Sequence, residues 1–182
     1  MSALGEALKE LGHLQEAMTM YDRALEMLVP NSDLWDETLA DRSEVLVELG
    51  RFQEARSDLT KVMKTLGPGV SDWMLSYPLT CLGKAELGMG DVEAAVSDLE
   101  HALQIRLDPD FDPAMLAETR FGLARALWES GGDRARSISL ARMAREAFGS
   151  NNRPRKLSAV DAWLAVHASG KHLAFSTLTQ VR

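Results

Sequence analysis

Residues 82–103 read LGKAELGMGDVEAAVSDLEHAL. Leu and Ala recur there at helical spacing, yet glycines stand at 83, 88 and 90. Glycine weakens a helix interior by up to about 1 kcal/mol, so three in one helical stretch need a physical reason. The rest of the chain supplies it. A small residue occurs at Gly5, Ser43, Gly83 and Ala124, at spacings of 38, 40 and 41. Seven residues after each comes Gly12, Gly50, Gly90 and Gly131. Five further on stand Ala17, Ala55 and Ala95, with Arg136 and its neighbour Ala135 in the fourth copy. Tyr21, Leu59, Leu99 and Leu140 come next, followed by Ala24, Val62, Ala102 and Met143.

This register defines a helix–turn–helix unit. The small residue lies inside a first helix, and the later glycine ends that helix because it tolerates the left-handed conformation a helix stop needs. The alanine opens the buried face of a second helix, on which Ala95, Leu99, Ala102 and Leu103 form one stripe. Small side chains on both helices let the axes approach to about 8 Å, the close end of the usual range. Gly83 is therefore expected to pack against Ala95, while Gly90, and Gly88 with it, is expected in the turn.

These landmarks resemble the tetratricopeptide repeat, whose unit carries Leu-Gly in its first helix, Ala early in the second, an aromatic or Leu, another Ala, and Pro near the end. Leu82-Gly83, Ala95, Leu99, Ala102 and Pro109 follow that order, as do Leu4-Gly5, Ala17, Tyr21, Ala24 and Pro30. The second copy keeps Ala55 and Leu59 but has Arg42-Ser43 for Leu-Gly, and the fourth departs most in its second helix. The copies exceed the usual period of about 34 residues, as in kinesin light chain-like arrays. The resemblance covers about residues 1–148 and implies an all-α, right-handed superhelix of about four antiparallel helix pairs with a C-terminal capping helix.

Along the chain, the units are expected at about 1–31, 32–70, 71–111 and 112–148 in a single solenoid domain over 1–168. The first helix starts almost at Met1, which suggests that its opening turn is cut off and that the chain is a piece of a longer protein. Its partner spans about 14–29 and stops near Pro30. Ser32 or Asp33 caps a helix to about residue 49, and 52–66 pairs with it before Gly67-Pro68-Gly69 breaks the chain. Ser71 or Asp72 caps the next helix, where Pro78 should introduce a kink or mark the true start. Residues 91–107 pair with it. Asp112 and Pro113 open the following helix, which ends near Ser130, and its partner runs to about Phe148. GSNNRP at 149–154 is expected as a linker, and RKLSAVDAWLAVHA, up to residue 168, as an amphipathic helix covering the terminal face of the solenoid. The tail, 169–182, carries no pattern that assigns it an element.

Composition narrows the function. No apolar run approaches the roughly 20 residues of a membrane span, and the acidic opening MSALGEALKELG is no signal peptide. Cys81 is the only cysteine, so no internal disulfide forms, which suits a reducing cytoplasm. The net charge of −7 conceals a polarity: residues 1–118 carry 9 Lys/Arg against 23 Asp/Glu, and residues 119–182 carry 11 against 4. His13, His101, His167 and His172 have no second His or Cys at metal-ligand spacing, so neither a metal nor a cofactor is expected. His13 reads as an exposed turn residue. No GxxxxGK[ST] phosphate loop, GxSxG elbow or kinase HRD or DFG motif is present, and no catalytic residue is assigned. Glu37, Asp41, Glu44 and Glu48 share spacings of three or four and hence one helix face, where carboxylates are ordinarily solvated.

The resemblance also implies where a partner binds. In tetratricopeptide arrays the first helices of successive units line a concave groove. By position, the groove face comprises Glu37, Ala40, Asp41, Glu44, Val47 and Glu48 in the second unit. The third offers Tyr77, Thr80, Lys84 and Leu87, and the fourth Glu118, Phe121, Arg125 and Trp128. Trp128 is either a hot-spot anchor or a core residue under the capping helix. Family members that grip a C-terminal carboxylate use Lys, Arg and Asn on these faces. Here Lys84 and Arg125 are present without Asn, and Asp41 and Glu44 repel a carboxylate. An extended or helical segment with apolar anchors and some basic residues fits better. SYPLTCLGKAELGMGD, GGDRARSISLARMAREAF and VDAWLAVH are similar to repeat regions following the kinase domain of some bacterial serine/threonine kinases, which implies a noncatalytic regulatory module of a signalling protein. Two other readings compete. One is a homo-oligomer joining acidic and basic ends; the other is nucleic-acid binding through Arg134, Arg136, Arg142, Arg145, Arg153, Arg155 and Lys156. The overall acidity and the lack of interleaved aromatics argue against the second.

Overall fold

Nine α-helices and no strand make up residues 1–168, the part of the chain that the structure, a computed structural model, describes. They are α1 (Ser2–Leu11), α2 (Leu14–Met27), α3 (Asp33–Glu48), α4 (Phe52–Leu66), α5 (Asp72–Met89), α6 (Val92–Arg106), α7 (Pro113–Glu129), α8 (Arg134–Ser150) and α9 (Pro154–His167). The first eight form four antiparallel hairpins stacked into a right-handed superhelix, and α9 closes the end by packing on α8. The first helices of successive pairs touch one another, α1 on α3, α3 on α5 and α5 on α7, so they share the inner face. The tail, 169–182, lies outside the described residues.

The helix ends follow from local chemistry. Ser32 Oγ accepts from Trp35 N at 3.3 Å, and Asp112 Oδ1 accepts from Ala114 N at 2.7 Å. Ser71 precedes α5 but makes no side-chain cap. Gly90 ends α5 at φ +84°, which lets Asp91 N–H turn back to Glu86 O at 2.9 Å. Three expectations need correction. Pro78 does not mark the start of a helix; it lies inside α5, which runs from Asp72 to Met89. Residues 149 and 150 belong to α8, so the linker before α9 is short. Gly88 lies inside α5, not in the turn, because the Phe52 ring of α4 occupies the space that a Cβ would need.

Hairpin packing follows the repeat register. A Cβ added at Gly83 would stand 2.6 Å from Leu99 Cγ and 3.1 Å from Ala95 O, so α5 and α6 meet there without room for a methyl group. At the equivalent point of the first pair, the Tyr21 ring lies 3.0 Å from where a Gly5 Cβ would be. Leu99 Cδ2 also lies 3.0 Å from where a Cβ on Gly122 of the next first helix would stand. The core divides along the array. Tyr21, Val45, Leu46 and Ala85 fill the first part, Leu39, Leu59, Val62 and Cys81 the middle, and Leu99, Leu123, Leu140, Phe148 and Val160 the last.

Candidate functional site

The inner face is built around a carboxylate that its helix pattern presents as solvated. Glu44 of α3 is only 2% exposed. Its Oε2 accepts from Lys9 Nζ of α1 at 2.6 Å and lies 3.1 Å from the Tyr77 hydroxyl of α5. Lys84 Nζ of α5 is 3.4 Å from Oε1, and Lys156 Nζ of α9 is 3.7 Å from it. Glu118 of α7 pairs with Lys156 and lies 3.7 Å from Lys84. Five helices thus place one side chain or more in a single buried charge network. Burial opposes ionisation of Glu44, but Lys84, Lys9 and Lys156 together hold it well below the usual carboxylate range. Burial and then the neighbouring Glu44 charge push Glu118 up. Burial also raises Asp41, to about 6, against the pull of Lys9 and the Tyr77 hydroxyl.

The basic segment that opens α9 reaches across the superhelix to its other end. Arg155 Nη1 donates to Lys9 O at 2.5 Å, and its Nη2 pairs with Glu48 at 2.9 Å. Arg153 pairs with Glu10 at 3.0 Å. Residues far apart in sequence are thereby joined, and Arg153, Arg155 and Lys156 form a strap over the concave face. The strap separates two cavities. The smaller, about 290 Å³, is lined by Lys84, Phe121, Arg125 and Phe148 among others. The larger, about 770 Å³, has Asp33, Asp36, Glu37 and Asp41 on one wall and Trp73, Tyr77 and Phe111 among its apolar lining. Arg106 also lines it, 1% exposed, with Nη1 on Met115 O at 2.6 Å and Nε and Nη2 unpartnered.

Ten of the fourteen expected groove residues line a cavity. Glu37, Ala40, Asp41 and Tyr77 line the larger cavity, Glu48, Lys84, Phe121 and Arg125 the smaller, and Glu44 and Glu118 both. Thr80, Val47 and Leu87 do not present a binding face: Thr80 is buried with its Oγ1 at 2.9 Å from Thr119 Oγ1, Val47 packs on the first part of the core and Leu87 on the last. Trp128 turns to the capping helix. Its ring meets Trp163 edge-on at 5.8 Å and His167 at 4.8 Å, and Arg134 lies 4.8 Å over it. Pattern reading missed Asp33, Asp36, Trp73 and Phe111, because they sit at helix starts and in a loop, away from the central face. It missed the strap as well, although the acidic-to-basic polarity of the chain signalled it. Five of the seven basic residues considered for nucleic acid pair with the chain's own acids: Arg136 with Glu100, Arg145 with Asp161 at 2.5 Å, and the strap residues as above.

His13 stands just before α2, half-exposed, with Nδ1 2.8 Å from Glu16. Cys81 is buried, and burial pushes its thiol up to about 12, which leaves it unreactive at neutral pH. Among the described residues no group of His, Cys, Asp and Glu is placed to hold a metal ion, and no helix is long and apolar enough to cross a membrane.

Stacked helical hairpins with a walled concave face are the fold of a tetratricopeptide-repeat solenoid. The tetratricopeptide repeat family itself matches at residues 1–28. Among solved structures, the chain is similar to BtubC (BKLC) from P. vanneervenii, with 21% identity and a TM-score of 0.63 over 83% of this chain. The match takes in 63% of BtubC, so the chain spans less than two thirds of that protein. It is also similar to a Podosopora anserina protein described as a kinesin light chain with nearly identical TPR-like repeats. Two structures of that protein match, each with a TM-score of 0.61. One, of a point variant, is 17% identical over 91% of this chain and 93% of its own, and the other is 14% identical over 95% of each. No curated protein sequence matches the chain.

Proposed function

We propose that this chain is a noncatalytic scaffold that holds a peptide or protein segment in its concave groove, and that the segment carries apolar anchors and basic residues. The observation that carries this reading is the larger cavity, whose acidic wall faces Trp73, Tyr77 and Phe111. Trp73 is 64% exposed beside it, an aromatic platform open to a partner. The acids favour Lys or Arg and repel a terminal carboxylate. The sequence resemblance noted for residues 76–91, 131–148 and 160–167 is the ground for reading it further as a cytoplasmic regulatory module of a larger signalling protein.

An array of short synthetic peptides that pair aromatic or aliphatic anchors with Lys and Arg tests the groove. Binding should be read by the anisotropy of the fluorescein-labelled peptides and compared with Asp33→Lys/Glu37→Lys. Glu44 is unsuitable for charge reversal because its burial would confound binding with unfolding. The expected result is capture of basic, anchor-bearing peptides and its loss in the double variant. Capture of acidic peptides, or equal capture by the variant, would overturn the assignment.

A further inference from the structure

The larger cavity is not balanced by its own lining. Nine carboxylates line it, against the four cations Lys9, Arg106, Arg153 and Lys156. Two of those four belong to the strap. Among the described residues Asp33, Asp36 and Glu37 join no ion pair, and Asp36, 6% exposed, keeps Oδ1 without a hydrogen-bond partner. A buried acceptor of this kind calls for a donor, and the surrounding charge calls for a cationic one.

The strap shows what such a donor looks like. Arg153-Pro154-Arg155-Lys156 reaches Glu10, Glu48, Glu44 and Glu118 through guanidinium and ammonium groups and also takes a backbone carbonyl, Lys9 O. These are the contacts a basic peptide makes with an acidic groove. The arginine part of the hold is the releasable part, while Lys156 sits deeper, on Glu118 and Glu44. In the Arg155–Glu48 pair the side chains are 45% and 25% exposed, and in Arg153–Glu10 they are 38% and 34% exposed. Partly exposed pairs are individually weak and are screened by salt. Glu10, Glu44, Glu118, Arg153 and Lys156 line both cavities, so the strap is the partition between them.

We propose that the acidic concave wall is a docking surface for an arginine- and lysine-rich segment of a partner protein, and that Arg153, Arg155 and Lys156 occupy part of it until the partner displaces them. This rests on the groove reading above and adds to it the partner's chemistry and a resident competitor. The competitor lowers the partner's apparent affinity by the fraction of time the strap is open. If it is open in about one molecule in ten, removing it tightens binding about tenfold.

The test uses the full chain and a fluorescein-labelled peptide of sequence NNRPRKLSAV, the chain's own residues 151–160. Wild type and Arg153→Ala/Arg155→Ala/Lys156→Ala are titrated by anisotropy, after circular dichroism has shown equal helicity. The variant should bind about tenfold more tightly, its affinity should fall steeply as salt rises, and a peptide with Glu at the three basic positions should not bind. Adding Asp33→Lys/Glu37→Lys to the variant should weaken binding again. Should the triple variant lose helicity, Arg155→Ala alone serves, with a smaller gain of the same sign. Equal affinity of wild type and variant overturns the proposal, as does strap-dependent dimerisation of the wild type on sizing columns, which would make a second copy the occupant. If the variant gains nothing while the peptide array still reports loss with Asp33→Lys/Glu37→Lys, the strap inference falls and the groove reading stands.

Discussion

Lys9 and Glu44 are 6% and 2% exposed, and each is the nearest counter-charge of the other. Removing one partner leaves the other charged and almost wholly buried, which costs up to about 3–5 kcal/mol. Glu44→Gln should therefore lower unfolding free energy by an amount in that range, measured by chemical denaturation. Replacing both with Met removes the desolvation of two ions together and should cost much less than the sum of the single changes. Lys84 and Lys156 both retain Glu118 in that double variant, so neither remaining cation is stranded. Additive losses would show that the pair is not a unit. The sequence placed Glu44 on the right face but as one solvated acid of four. Nothing in the spacing of Glu37, Asp41, Glu44 and Glu48 separates the buried member, because the lysines that enclose it come from three other helices.

At the scale of helices, the architecture was legible because close approach leaves a mark at fixed spacing. Gly5 faces Tyr21 and Gly83 faces Leu99, so each small residue of a first helix meets the residue sixteen further on in its partner. Four such registers determine the hairpins before any coordinate is known. Gly88 was misread for a physical reason. A glycine required for a left-handed turn and one required for close packing look the same in sequence, and only the Phe52 ring from the preceding hairpin tells them apart. Gly83→Ala should destabilise the fold by about 1–3 kcal/mol, since Ala95 O is backbone and cannot swing aside. Gly88→Ala should cost a similar amount alone, and much less in a Phe52→Leu background, where the ring is gone and alanine's better helix propensity counts for up to about 1 kcal/mol. Thermal melts of the four proteins in that cycle check the coupling. No coupling would mean that Phe52 does not cover Gly88.

For the whole molecule, the polarity of charge along the chain becomes a closure between its two ends, and acids crowd into the shared interior. This part of the site was legible only as a net imbalance, since which Arg meets which Glu depends on how far the superhelix curls. The crowding has a consequence for pH. Glu86 is raised to about 7 by burial and by Asp98 and Asp91 beside it, with Arg56 opposing, and Asp41 is raised to about 6. Both ionise at lower pH in the unfolded chain, where their ordinary values are 4.5 and 3.8. Between those limits the folded state binds more protons than the unfolded one, so stability falls as pH rises through the folded values. Glu44 works the other way. Its folded value lies well below 4.5, so the stability it contributes is lost only in strong acid, outside this window. The melting temperature should therefore climb as pH is lowered from about 8 to about 5. Glu86→Gln should flatten the upper part of that climb and Asp41→Asn the part near 6, each raising stability at neutral pH. A melting temperature that drops between about pH 8 and about pH 5, or a Glu86→Gln profile that coincides with wild type, would mean that these carboxylates are not held protonated by the fold.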